Sequence, residues 1–85
     1  MASYRLRIKP SAAQELEDAP PKDRRRLAAR LRALADRPRP PGAEKLSGHE
    51  LVRVRQGDSR ILCEIADHDL VVTILKIGHR REVYR

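Results

Sequence analysis

The chain has 85 residues, room for a single domain (1–85) with one modest core, and a domain of that size is only slightly stable on its own. Lys and Arg number 19 against 12 Asp and Glu, a formal net charge of +7, and Arg far outnumbers Lys. Guanidinium groups match phosphate oxygens and stack on bases, so the balance points to nucleic acid or another polyanion; a merely solvated basic surface is the plainer alternative. The single cysteine, Cys63, excludes an internal disulfide and a Cys-based zinc finger. Met1 to Arg5 has no apolar signal-peptide core and no run could span a bilayer, so the expectation is a cytoplasmic protein with no membrane partner.

Tyr4-Arg5-Leu6-Arg7-Ile8-Lys9 alternates with period two and reads as a strand, with Tyr4, Leu6 and Ile8 on one face and Arg5, Arg7 and Lys9 on the other. Pro10 ends it. Ser11 and Gln14 have the spacing of a capping box, which predicts a short helix with Ser11 as N-cap. Pro20-Pro21 stops that helix and opens a second, from about Lys22 to Asp36, whose Leu27, Leu31 and Leu34 form an apolar stripe while arginines crowd the rest of the circumference. Pro38 to Gly42 reads as an extended connector. Three strands follow: Leu51 to Gln56, Ser59 to Ala66 and Leu70 to Ile77, joined at Gly57-Asp58 and at Asp67-His68-Asp69. The predicted fold is α+β, in the order β-α-α-β-β-β. It is a mainly antiparallel four-stranded sheet with an N-terminal helical hairpin packed on one face.

Parity sorts the charge. Val52 and Val54 oppose Arg53 and Arg55, and Ile61, Cys63 and Ile65 oppose Arg60. With the apolar faces against the helices, Arg5, Arg7, Lys9, Arg53, Arg55 and Arg60 gather on the other face, at a cost in cross-strand repulsion that a bound anion would relieve. Basic residues also guard sheet edges, which explains any one of them equally well. The last strand, apolar on both faces up to Lys76, reads as central and covered on both sides.

No Gly-rich phosphate loop, HExxH or Cys–His metal spacing is present, and no metal or cofactor is expected. Asp67-His68-Asp69 reads as a turn, Cys63 as core filler, His49 as structural and Tyr4 as the edge of the core. Gly78-His79-Arg80-Arg81-Glu82-Val83-Tyr84-Arg85 puts an imidazole, several guanidinium groups and a phenol into one short stretch. RNA carries its own nucleophile, the 2′-hydroxyl. Its cleavage then needs alignment, a cation at the developing oxyanion, and proton transfer, for which His79 has a suitable ordinary pKa. A polar tail finishing a strand is the other reading of the same residues.

These features resemble the RelE/ParE toxin superfamily, and within it the RelE branch. The likeness rests on the element order, the Arg-Leu-Arg-Ile-Lys-Pro-Ser-Ala opening, the Leu-Ser-Gly-His segment, Arg53-x-Arg55, Arg60 and the Gly-His-Arg-Arg-Glu-Val-Tyr ending. The resemblance implies a toxin of a type II toxin–antitoxin system. It would be an mRNA interferase, a metal-independent endoribonuclease that cuts mRNA in the ribosomal A site. Its partners would be a cognate antitoxin, the ribosome and mRNA, and operator DNA through the antitoxin complex.

The resemblance also assigns roles. The family's basic strand pair falls on Arg53 and Arg55, and its phosphate-binding arginine on Arg60. The arginine supporting the leaving oxygen falls on Arg80, and the tyrosine that stacks on or activates the nucleotide on Tyr84. Arg5, Arg7, Lys9 and Arg81 are expected to add RNA-backbone contacts. Three positions depart from the best-known members, which carry lysine where Arg53, Arg55 and His79 stand here. Arg keeps its proton, so the strand pair is left with phosphate stabilisation, and His79 or Tyr84 is expected to carry proton transfer. The alternatives are a ParE-like toxin acting on DNA gyrase and a non-catalytic basic module of a repressor complex.

Overall fold

A computed structural model of the protein describes residues 3–46 and 50–79, the last of these through its backbone alone. The elements are β1 (Arg5–Ile8), α1 (Pro10–Asp18), α2 (Pro21–Asp36), β2 (Glu44–Lys45), β3 (Leu51–Gln56), β4 (Ser59–Ala66) and β5 (Val71–His79). The strands make one sheet in the order β1-β5-β4-β3-β2. β1 runs parallel to β5, and the remaining neighbours are antiparallel. The α+β class stands, with one strand more than the sequence predicts, because β2 is only two residues long and leaves no periodicity to read.

Proline sets both helix starts. Pro10 and Pro21 occupy the first helical position, where the fixed φ is already helical and the missing N–H has no partner to lose. The predicted Ser11 cap is therefore displaced. Lys9 stands at the N-cap with extended backbone and no side-chain cap bond, and Gln14 donates instead to Asp18 at 3.0 Å. Both helices cover the same face of the sheet. Leu27, Leu31 and Leu34 of α2 and Ala12 of α1 close over Val52, Val54, Ile61, Cys63, Ile65, Val72, Ile74 and Ile77, all buried. Tyr4 and Leu6 pack against this core, whereas Ile8 at the sheet edge is exposed. Cys63 is filler, as expected: its Sγ lies 3.5 Å from the Val52 carbonyl oxygen, and burial pushes its thiol up to about 11.

Each turn follows from its residues. Gly57 has φ +60 at the first central position of a two-residue hairpin, the placement of a II′ turn. Pro41 and Gly42 (φ +87) fill the two central positions of a type II turn closed by the Ala43 N–H donating to the Pro40 carbonyl at 3.0 Å. The connector expected to be extended is thus bent here, and the bend delivers Glu44 to the sheet edge. Between β4 and β5 the turn takes in Leu70, whose left-handed φ of +56 costs on the order of 1 kcal/mol. β5 consequently starts one residue late, and it runs on to His79. It is central, as predicted, but among the described residues nothing covers its second face, where Val71 and Thr73 are half-buried between their neighbours.

Asp67 ties three segments together. It accepts the Tyr4 hydroxyl at 2.6 Å and two Arg39 N–H groups at 2.9 Å each, joining the N-terminal strand, the Pro-rich connector and the β4–β5 turn. The guanidinium first, and then the phenol, hold its carboxyl down to about 2 from an ordinary 3.8. A lowered folded-state pKa adds stability above the unfolded value and loses it as pH falls. The thermal unfolding midpoint should therefore fall from about pH 4 toward pH 2, and Asp67→Asn should lower the midpoint at neutral pH while flattening that acid leg. An unchanged acid leg in the variant would remove Asp67 from this role.

Candidate nucleic-acid interface

The register fixes which side chains share the open face of the sheet. Arg7 lies opposite Thr73, Thr73 opposite Glu64, and Glu64 opposite Leu51, which points the same way as Arg53 and Arg55 two and four residues on. On β4, Arg60, Leu62 and Glu64 alternate with the buried Ile61, Cys63 and Ile65. A bulge at Leu62/Cys63 lets β5 carry one extra residue between the partners Ile74 and Lys76.

At the hairpin end of this face Arg55 is directly opposite Arg60, and Arg60 is in turn opposite Gly78. Arg53 follows one pleat further along β3, opposite Leu62. The register therefore places three arginines from two strands at one corner of this face. Arg60 is half-buried and donates to the Ser59 carbonyl at 3.2 Å, while Arg55 is exposed. Like charges opposite one another repel, and Glu44 relieves part of this. Its Oε1 accepts from Nε and Nη2 of Arg53 at 3.0 and 2.7 Å. Arg53 first, with smaller pulls from Arg55 and Arg60, holds its carboxyl below the usual range. A cleft of about 440 Å³ lined by Pro41, Gly42, Glu44, Arg55 and Gly57 opens beside them.

The remaining expected residues divide. Arg5 and Arg7 share the open face but sit on β1, three strand spacings from β3, a separation of about 14 Å. They cannot join Arg53, Arg55 and Arg60 on one phosphate. Lys9 is not on the strand at all: it is the α1 N-cap, and its N–H donates to the Ile74 carbonyl at 2.9 Å. The backbone of His79 pairs with Ser59, so β5 brings the chain alongside the residue preceding Arg60. Arg80, Arg81 and Tyr84, like His49, lie outside the described residues. Further cations, Lys22, Arg25, Arg26, Arg32 and Arg37, are exposed on or at the end of α2, so the excess charge is not confined to the open face.

Sequence reasoning missed Glu44 and Glu15. Glu15 of α1 accepts the Ile77 N–H at 2.9 Å and the Lys76 ammonium at 2.8 Å, satisfying the edge of β5 where β1 has run out. Neither acid stands in a periodic pattern. Only the long-range register brings them to their partners.

The architecture and the sequence lead to one superfamily. Residues 6–84 match the family model described as ParE toxin of type II toxin-antitoxin system, parDE. The chain belongs to this family, within the RelE/ParE superfamily. It is a type II toxin–antitoxin toxin with a RelE-like structure. The toxin–antitoxin complex RelBE2 from Mycobacterium tuberculosis contains a chain similar to it, with a TM-score of 0.82 and 25% identity over 96% of this chain and 97% of that one. The archaeal RelE-RelB complex from Pyrococcus horikoshii OT3 gives 0.81 and 26% over 95% and 99%. The isolated E. coli RelE toxin gives 0.79 and 24% over 96% and 92%, a likeness of fold. No curated protein sequence matches the chain. No helix among the described residues of this toxin is long and apolar enough to cross a membrane.

Proposed function

We propose that this toxin is an endoribonuclease that cuts mRNA on the ribosome by attack of the ribose 2′-hydroxyl on the adjacent phosphate. The convergence of Arg53, Arg55 and Arg60 on one corner of the open sheet face carries the reading. A phosphodiester there meets cations from two rigid strands, and a fixed cation at the developing oxyanion is worth roughly 3 kcal/mol. Since RNA brings its own nucleophile, the protein is left with alignment, charge and proton transfer. Arg60 is assigned to the non-bridging oxygens, Arg53 and Arg55 to the flanking backbone, and Arg5 and Arg7 to a separate stretch of it.

His79, Arg80 and Tyr84 complete the proposed site. Arg80 supports the leaving oxygen, His79 and Tyr84 share proton transfer and nucleotide stacking, and Arg81 adds a backbone contact. A cognate antitoxin would cover this face, as the relatives are seen in complexes with RelB, and the pair would bind its operator DNA.

Cleavage mapped with purified protein on programmed ribosomes tests the reading. Translation-dependent cuts that vanish in His79→Ala or Tyr84→Phe are expected. Near-wild-type rates in both variants would remove the proton-transfer assignment, and intact mRNA with wild-type protein would remove the nuclease. The family model's ParE description favours a second reading, inhibition of DNA gyrase through protein contact. Under that reading, expression in cells triggers DNA-damage signalling before protein synthesis falls.

A further inference from the structure

Glu44 has no part in the chemistry above, yet it sits against an arginine of the proposed site. Its carboxylate is 51% exposed and sits over Arg53, whose side chain is only 20% exposed, so the anion is on the solvent side of the guanidinium. The bond uses the Nε and Nη2 edge of Arg53, an edge well suited to phosphate oxygens. Arg55 and Arg60 also act on this carboxylate electrostatically. The strand that presents it spans two residues at the rim of the sheet, paired with Arg53 and Val52. The cleft lined by Glu44 and Arg55 gives the side chain room to move aside.

We propose that Glu44 is an exchangeable stand-in for the RNA phosphate, keeping the arginines ready to bind and leaving Arg53 only when a backbone phosphate replaces it. This rests on the ribonuclease reading. One consequence concerns substrate class. A lone phosphodiester carries one negative charge, as Glu44 does, so a simple exchange gains little. A strand of RNA gains because neighbouring phosphates reach Arg55 and Arg60 while the exchange takes place. Glu44 thereby selects a polynucleotide over an isolated phosphodiester and over small monoanions.

The test is binding of a labelled, short single-stranded RNA carrying 2′-O-methyl groups throughout, which cannot be cut, measured by fluorescence anisotropy across a salt series. Glu44→Gln removes the competing charge while keeping an acceptor. It should bind about two- to fivefold more tightly than wild type, and the slope of log K against log salt should steepen by up to about 0.7. Glu44→Asp should stay near wild type. If Glu44→Gln binds no better while Arg55→Ala binds worse, this inference falls and the nuclease reading stands. If neither Arg53→Ala nor Arg55→Ala weakens binding, both fall. If Glu44→Gln binds as wild type does and loses cleavage of ordinary RNA, Glu44 serves in proton transfer and the stand-in role is overturned.

Discussion

Arg60→Ala should lower kcat for mRNA cleavage on programmed ribosomes by about 10²–10³-fold, the usual cost of deleting one donor to a developing oxyanion. Arg60 is half-buried on β4, with β3 on one side and β5 on the other, and its Nη1 is held by the Ser59 carbonyl. A guanidinium fixed in this way needs no reorganisation when charge builds on the phosphate. Loss of the side chain also removes repulsion with Arg55, so stability should change by no more than about 0.5 kcal/mol. Arg60→Lys keeps the charge but not the planar fork and should recover only part of the rate. Arg5→Ala and Arg7→Ala should instead raise KM, most visibly at low salt, with kcat nearly intact. A kcat for Arg60→Ala within twofold of wild type would mean that the chemistry happens elsewhere.

Ile61→Ala should destabilise the fold by about 2–5 kcal/mol. Ile61 is fully buried, opposite Val54 on β3 and Ile77 on β5, on the face closed by Leu27, Leu31 and Leu34. For a chain of this length the whole unfolding free energy is roughly 4–13 kcal/mol, so this one truncation removes much of it. The contrast is Leu62→Ala, the next residue on the same strand, which points to the open face and is only half-buried. It should cost about 1 kcal/mol or less. Urea titration of the three proteins measures both effects. Equal midpoints for the two variants would contradict the assignment of faces.

Where side-chain alternation is long enough, it told the truth. β3, the turn after it and β4 were legible because Val52 and Val54 alternate with Arg53 and Arg55, Ile61, Cys63 and Ile65 recur with period two alongside Arg60 and Glu64, and Gly57-Asp58 punctuates the strands. The α2 stripe was equally plain. At the α1 start, proline overrode the capping signal. At Leu70 a bulky residue took up a left-handed conformation that no propensity favours. The site divided along similar lines. The shared face of Arg53, Arg55 and Arg60 was legible because parity is local, whereas their separation from Arg5 and Arg7 depends on strand order, which parity does not encode. Glu44 depended on both a type II turn and a two-residue ladder.

The pairing of β1 with β5 has a kinetic meaning. Arg5 and Val71, its register partner, are 66 positions apart (71 − 5), whereas β3, β4 and β5 are joined by turns of a few residues. Loop closure over so long a span comes late, so the meander forms first and the opening segment of the chain docks last. Until then the flank of β5 along Val71 to Ile74 stands unpaired, beside apolar surface that the helices have yet to cover. That interval is when the chain is most exposed to aggregation and proteolysis.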